Sequence, residues 1–297
     1  MSFDRIQPPL VFGEVLFDCF QDGSTVLGGA PFNVAWHLQA FGAGPVFISR
    51  VGKDPLGERI EQAMTARGMI TLALQRDPSH HTGTVQVKLS GGEPSYEIVD
   101  DVAWDHIDAV AVPPMPSGGL LYHGSLATRQ ADSADALRTL RGRLDPAVFV
   151  DVNLRDPWWN KSQLQHLLEG ASWVKLNAAE LELLAPDGDD LESRAQRLRE
   201  RYGLRCVFAT MGPDGALAIS GDERVDRVAP AASVEVVDAV GAGDGFAAVL
   251  ILGLLRSWSM ADTLERAQAF ASAIVGRRGA TVDDPDFYAP FIDHWSL

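Results

Sequence analysis

Residues 233–250 read SVEVVDAVGAGDGFAAVL, with Asp238 and Asp244 on either side of Gly241, Ala242 and Gly243. The alternation in SVEVV (233–237) predicts a strand, and the apolar run Phe246–Leu255 predicts a helix. The three small residues would then form the turn between them. Glycine lets backbone N–H groups converge, and a helix N-terminus adds about half a positive charge. Gly241, Ala242 and Gly243 therefore offer an anion hole. Asp244 beside it would repel a phosphate unless something lies between them. A hydroxyl that gives its proton to Asp244 while attacking phosphorus fits that place, which is general-base positioning in phosphoryl transfer. A second reading stays open: Asp244 caps the helix.

Other stretches bear on the same chemistry. TMGPDGA (210–216) is a glycine-rich turn after a strand, suited to nucleotide phosphate or ribose. In NAAE (177–180), Glu180 can hold a hydrated magnesium ion, or serve as a first-turn acid favoured by the helix dipole. LGGAPFNVAWHL (27–38) puts two glycines before Asn33, which can both donate to and accept from sugar hydroxyls. Asp18 ends an apolar strand, a costly place for an acid without a polar ligand. No G-x-x-x-x-G-K-[ST] occurs, which excludes a P-loop NTPase. GAGDGF lacks dinucleotide spacing and sits late in the chain, and Glu265, at the expected distance, falls in a helical pattern.

These residues need a frame. Short β-branched runs alternate with helical patterns, the mark of an α/β fold with a mostly parallel sheet. PLVFGEVLFD opens as a strand; 45–52, 119–127, 147–153, 172–177 and 205–212 read as further strands. Asp54-Pro55 starts a helix with Leu56, Ile60 and Met64 inward and Gly68 as its stop. A second helix covers 189–203. Residues 80–105 alternate with period two around Ser-Gly-Gly-Glu-Pro and predict an inserted antiparallel hairpin, a lid or a pairing surface. Its open edge points to a homodimer through the lid.

The 297 residues carry a net charge of −15, which argues against nucleic-acid or anionic-membrane surfaces. The longest apolar run is too short to span a bilayer. The N-terminus lacks a signal-peptide pattern, and Cys19 and Cys206 read as reduced thiols, so a cytoplasmic location is expected.

With these residues in hand, the sequence resembles the ribokinase-like (PfkB) carbohydrate kinases, nearest in wording to their fructokinase-like branch. GGAPFNVAWHLQAFGAGPVFISRVGKDPLG looks like the N-terminal signature and DAVGAGDGFAAVLILGL like the C-terminal one, with GEVLFD, DVNLR, VKLNAAE and TMGPDG in family order. The resemblance implies one three-layer αβα domain over 1–297, with a small β-sheet lid from about 14–27 and 80–105. It implies ATP-dependent phosphorylation of a sugar hydroxyl, most simply the primary hydroxyl of fructose. By motif, Asp244 is the base, and Gly241, Ala242 and Gly243 the anion hole. Asp18, Gly29 and Asn33 bind the sugar, and Arg155 contacts phosphate or substrate. Asn177, Thr210, Gly212 and Gly215 serve the nucleotide and Glu180 the magnesium. The family commonly has Thr after the first acid of the C-terminal motif; here Ala239 and Val240 follow Asp238, leaving backbone carbonyls for a potassium ion. Ribose, 2-keto-3-deoxygluconate, tagatose or a nucleoside are alternative substrates, and a non-catalytic sugar-binding regulator is the alternative of another class. A phosphorylated acceptor would need extra cations, for which Arg50, Lys53, Lys88 and Arg129 are candidates.

Overall fold

The first apolar run does not stay one strand. It breaks at Gly13 into β1 (Leu10–Phe12) and β2 (Leu16–Phe20), which join different sheets. The computed structural model describes residues 7–90, 93–221, 224–229 and 236–297, and the chain falls into two compact units. The first unit takes in Pro8–Ser117, Ala127–Asp145 and Gly279–Leu297; the second takes in Gln7, Gly118–Leu126 and Pro146–Arg278.

In the first unit, β3 (Thr25–Gly28) leads into α1 (Ala30–Ala40), β4 (Val46–Gly52), α2 (Pro55–Ala66) and β5 (Leu74–Asp77). Strands β1, β4 and β5 pair in parallel. Helix α2 starts where expected, because Asp54 Oδ1 accepts from the Gly57 N–H at 2.8 Å and Pro55 needs no donor there. Ile60 and Met64 are buried, while Leu56 stays half-exposed. The period-two segment folds back as β6 (Gly83–Ser90) and β7 (Glu93–Ile98), and its glycine turn at 91–92 lies outside the described residues. Together with β2 and β3 they form a four-stranded sheet in the order β3-β2-β6-β7. Helix α3 (Ala131–Leu144) completes this stretch.

The second unit holds β8 (Leu120–Gly124), β9 (Ala147–Asp151), α4 (Lys161–Leu168), β10 (Trp173–Asn177), α5 (Ala178–Leu184), α6 (Leu191–Tyr202) and β11 (Cys206–Thr210). Strands β8 to β11 run parallel in sequence order; β12 (Ala216–Ser220) and β13 (Val225–Val228) extend them antiparallel. The middles of β9 and β11 are near-continuous buried apolar runs, as expected for parallel strands covered on both faces. Helices α7 (Ala242–Arg256) and α8 (Met260–Val275) follow, and the chain returns to the first unit as α9 (Pro285–Trp295).

Two sequence expectations change here. Of the predicted strand at 233–237, residues 233–235 lie outside the described residues, and Val236 and Val237 are not in a strand. Instead the N–H groups of Val237 and Asp238 both donate to the Val275 carbonyl at the end of α8. Helix α7 also begins four residues before Phe246: the Gly245 N–H already bonds the Gly241 carbonyl at 2.8 Å. Gly245 is buried against Phe270 and Ile274 of α8, so packing overrides glycine's poor helix propensity.

Candidate active site

In an open α/β sheet, ligands gather outside the carboxyl ends of the parallel strands. In the second unit that edge is unusually polar. Asp151 ends β9 in register with Lys175 of β10, and Asn177 ends β10 in register with Thr210 of β11. Lys175 Nζ donates to Asp151 Oδ1 at 2.7 Å, and the Tyr122 hydroxyl of β8 donates to Asp151 Oδ2 at 3.0 Å. All three side chains are buried. Burial pushes the Asp151 carboxyl up, even though Lys175 and Tyr122 draw it down. Burial alone would lower Lys175, but the charges of Asp151, Asp244 and Glu180 reverse this and hold its ammonium above the usual range.

Asn177 and Glu180 form a reciprocal capping box at the start of α5. The Glu180 N–H donates to Asn177 Oδ1 at 2.9 Å, and the Asn177 N–H donates to Glu180 Oε2 at 2.8 Å. The other oxygen, Oε1, accepts from the Leu154 N–H at 3.0 Å, tying the DVNLR segment to the same carboxylate. Glu180 is buried, and that burial raises its carboxyl against the pull of these N–H groups and Lys175.

Helix α7 brings its own start to this edge. Gly241 is its N-cap, with φ 82°, and Asp244 stands in its first turn, half-buried. The capping position therefore belongs to Gly241 and not to Asp244. A Cβ built on Gly243 would lie 3.7 Å from Lys175 Nζ, so the ammonium faces the helix start. Upstream, Asp238 Oδ1 accepts from the Val240 N–H at 2.9 Å and fixes the approach. Three carboxylates (Asp151, Glu180, Asp244) and one ammonium (Lys175) thus leave an excess of two negative charges beside a positive helix end. That donor set fits a divalent cation held by one or two carboxylates, waters and phosphate oxygens.

The remaining candidates of this unit lie close by along the chain. Thr210 is half-buried, its hydroxyl 3.5 Å from the Leu176 carbonyl. The turn after it opens at Gly212 and closes at Gly215, where the Met211 N–H bonds the Gly215 carbonyl at 2.8 Å. Gly215 has φ 93°, and a Cβ there would meet the Val228 carbonyl oxygen at 2.2 Å, so only glycine fits. Arg155 is exposed and donates to the neighbouring Leu154 carbonyl at 3.0 Å.

The first unit gathers the other set. Asp18 lies in β2, half-buried, between Val26 of β3 and Val85 of β6. Its Oδ2 is 3.8 Å from where a Gly28 Cβ would stand. Gly29 has φ 111°, with the Glu14 carbonyl oxygen 2.7 Å from its would-be Cβ, and its own carbonyl accepts from the Asn33 N–H at 2.8 Å. Asn33 is buried in the first turn of α1. Gly29 and Asn33 thus lie where β3 enters α1, with Asp18 beside the neighbouring Gly28. The cations considered for a second phosphate are mostly committed. Arg129 is buried against Asp105, Arg50 contacts Asp77 at 2.6 Å, and Lys88 contacts Glu97 at 2.6 Å. Trp104 is fully buried under the Arg129 guanidinium, while Tyr96 is exposed.

Sequence reasoning passed over Asp151, Lys175, Tyr122 and the buried Glu14. The signal was present: a charge inside each of the apolar strands AVFVD and WVKLN costs too much to be idle. Among the described residues no helix is long and apolar enough to cross a membrane, and both cysteines are free.

The sequence profile of the pfkB family carbohydrate kinases matches residues 10–286. A fructokinase from Klebsiella pneumoniae is 31% identical over 259 residues, covering 82% of this chain and 83% of the relative. The solved structure of aminoimidazole riboside kinase from Salmonella enterica, complexed with aminoimidazole riboside and an ATP analogue, matches with TM-score 0.81 at 25% identity. It covers 96% of this chain and 99% of that one. A fructokinase double mutant from Vibrio cholerae, in a fructose, ADP and potassium ion bound form, matches with TM-score 0.81 at 24% identity, covering 97% and 99%. The likeness establishes the ribokinase-like αβα fold, a large mostly parallel sheet with helices and a smaller sheet.

Proposed function

Because this chain belongs to the pfkB family of carbohydrate kinases, a phosphotransferase family acting on sugar alcohols, we propose that it moves the γ-phosphoryl group of ATP to a primary hydroxyl of unphosphorylated fructose. The observation that carries the reading is Asp244 in the first turn of α7, with Lys175 facing that helix start. Asp244 takes the proton of the acceptor hydroxyl as its oxygen attacks phosphorus, while the bond to the bridging oxygen of ADP breaks. The charge that develops meets the α7 N–H groups of Gly241 to Gly243 and the Lys175 ammonium. Thr210, Gly212, Gly215 and Asn177 hold the nucleotide; Asp18, Gly29 and Asn33 hold the sugar; Arg155 contacts phosphate. Glu180 would hold a hydrated magnesium ion, which would supply charge neutralisation. The Asp238–Val240 turn offers carbonyls to potassium, the ion named in the Vibrio cholerae structure.

Fructose is favoured over a phosphorylated sugar because Arg50, Lys88 and Arg129 already face carboxylates. The aminoimidazole riboside kinase relative makes a riboside the specific rival. Coupled ADP release over fructose, ribose, tagatose, 2-keto-3-deoxygluconate, aminoimidazole riboside and adenosine, with and without potassium, separates them. Fructose should give the highest kcat/KM, and turnover confined to a riboside overturns the assignment. Asp244→Asn should keep the melting temperature and lower kcat at least about a hundredfold; near-wild-type turnover would remove the mechanism. Sugar-induced thermal stabilisation with no ADP release for any sugar would mark a binding protein instead. A homodimer through the small sheet belongs to the same reading, since its edges are β3 and β7 with Val26 and Tyr96 exposed; a monomeric mass in solution rules it out. Free cysteines fit a reducing, cytoplasmic setting.

A further inference from the structure

A second group of metal-ligating side chains lies in the first unit, on residues that the kinase chemistry does not use. His80, Asp101 and His106 bring one ligand atom each to within 4.8 Å of one another. His106 Nε2 is 2.9 Å from Asp101 Oδ1, and His80 Nε2 is 3.8 Å from the same oxygen. Ligands about 2.0–2.2 Å from a tetrahedral zinc lie about 3.3 Å apart, between these two distances. We propose that His80, Asp101 and His106 form a site for a zinc-class divalent transition metal, distinct from the magnesium that accompanies ATP.

The surroundings are those of a built site. A metal-bound histidine normally donates its second ring nitrogen to a carboxylate, which fixes the ring. Both rings have that partner: His80 Nδ1 lies 3.1 Å from Asp77 Oδ2, and His106 Nδ1 lies 2.8 Å from Asp132 Oδ2. These bonds leave both Nε2 atoms to Asp101. Asp77 is itself fixed: it accepts the N–H groups of Ser79 and His80 at 2.7 and 2.9 Å, and Arg50 Nε contacts it at 2.6 Å. The same Arg50 donates to the His106 carbonyl at 2.9 Å. Three carboxylates (Asp77, Asp101, Asp132) against one guanidinium (Arg50) leave an excess of two negative charges around the two rings, which matches a divalent ion. Two imidazoles and one carboxylate select zinc-class ions over magnesium or calcium, which take oxygen ligands.

The rings stack with centroids 3.7 Å apart and planes 17° from parallel. A shared cation requires that stack to splay, each ring pivoting on its Nδ1 hydrogen bond until both lone pairs converge. Asp101, 73% exposed, leaves the approach open to solvent and a position for water. His80 precedes β6, Asp101 follows β7, and His106 closes a 3-10 turn, so the ion would staple the base of the β6–β7 hairpin.

The test is titration of zinc, then cobalt, into the full-length protein dialysed free of metal, against a chromophoric chelator. One equivalent should bind at micromolar concentration, with visible cobalt absorption and a raised melting temperature. His80→Ala and His106→Ala should each weaken binding at least about tenfold, and Asp132→Asn about tenfold. Asp244→Asn should leave it unchanged, and millimolar magnesium should not compete. A measurement without mutation guards against misfolded variants: zinc should move the Nε2 resonances of His80 and His106 in histidine-ring nitrogen NMR. No binding at micromolar zinc overturns the proposal, as do unchanged affinity in both histidine variants or zinc-induced shifts confined to other histidines.

Discussion

The buried salt bridge of the first unit and that of the second are built to opposite ends. Arg129 grips both oxygens of Asp105 at 2.7 Å, donates again to the Val99 carbonyl at 2.6 Å, and lies 4.1 Å over the Trp104 ring. Asp105 Oδ2 also accepts the Val102 N–H at 3.1 Å. These contacts all go to protein groups, and the pair fastens the segment after β7 to the start of α3. Lys175 makes a single short contact with Asp151, and the further carboxylates that bear on it belong to the candidate site. An ammonium has three donors, so the second pair keeps donors for a ligand, while the contacts named for the first all go to protein groups. Burial of an ion pair therefore says little about its role; what each partner still has to offer says more.

The comparison can be broken most directly at Lys175. Lys175→Met should lower kcat at least about a hundredfold, the scale of losing one preorganised donor to a developing charge. Assayed below both melting temperatures, Arg129→Met should keep kcat within about threefold, since it touches no reacting group; equal losses in the two variants would erase the distinction. Next in size is stability. Arg129→Met strands a buried Asp105 and should cost about 3–5 kcal/mol in denaturant unfolding, with Arg129→Met/Asp105→Leu recovering part of it. A smaller effect sharpens the second unit alone: Gly215→Ala, strained at φ 93° and against the Val228 carbonyl, should raise KM for ATP more than KM for sugar and cost about 1–3 kcal/mol.

The smallest effect is a pH dependence in the first unit. Burial lowers His106, but hydrogen bonds and charges from Asp132 and Asp101 outweigh it, and its pKa is raised. A raised folded value means stabilisation fully present below the unfolded value of about 6.5 and lost as pH rises through the folded one. The melting temperature of metal-free protein should carry a decline over that interval that His106→Gln removes. A profile unchanged by the substitution would detach His106 from Asp101 and Asp132.

The kinase fold was legible because its two signatures are local: a glycine pair before a helix at 28–29, and a glycine-flanked acid before another at 241–244. Helix α2 was legible through Asp54-Pro55 for the same reason. What escaped was settled at a distance. Lys175 and Asp151 face each other only through β9–β10 register, 24 residues apart. The start of α7 was misplaced because its glycines read as turn, and only packing on α8 shows why Gly245 is helix. Residues 9–18 looked like one strand because both halves are apolar, and nothing local says that they belong to different sheets. His80, Asp101 and His106 match no spacing motif; the β6–β7 fold-back brings them together.

The two units described above are not successive stretches of the gene. The polypeptide passes from one to the other after Gln7, Ser117, Leu126, Asp145 and Arg278. A fragment cut at any of these points carries part of one half and lacks strands or helices of the other. The two halves therefore cannot be expressed apart, exchanged with a relative by a single crossover, or freed by one protease nick.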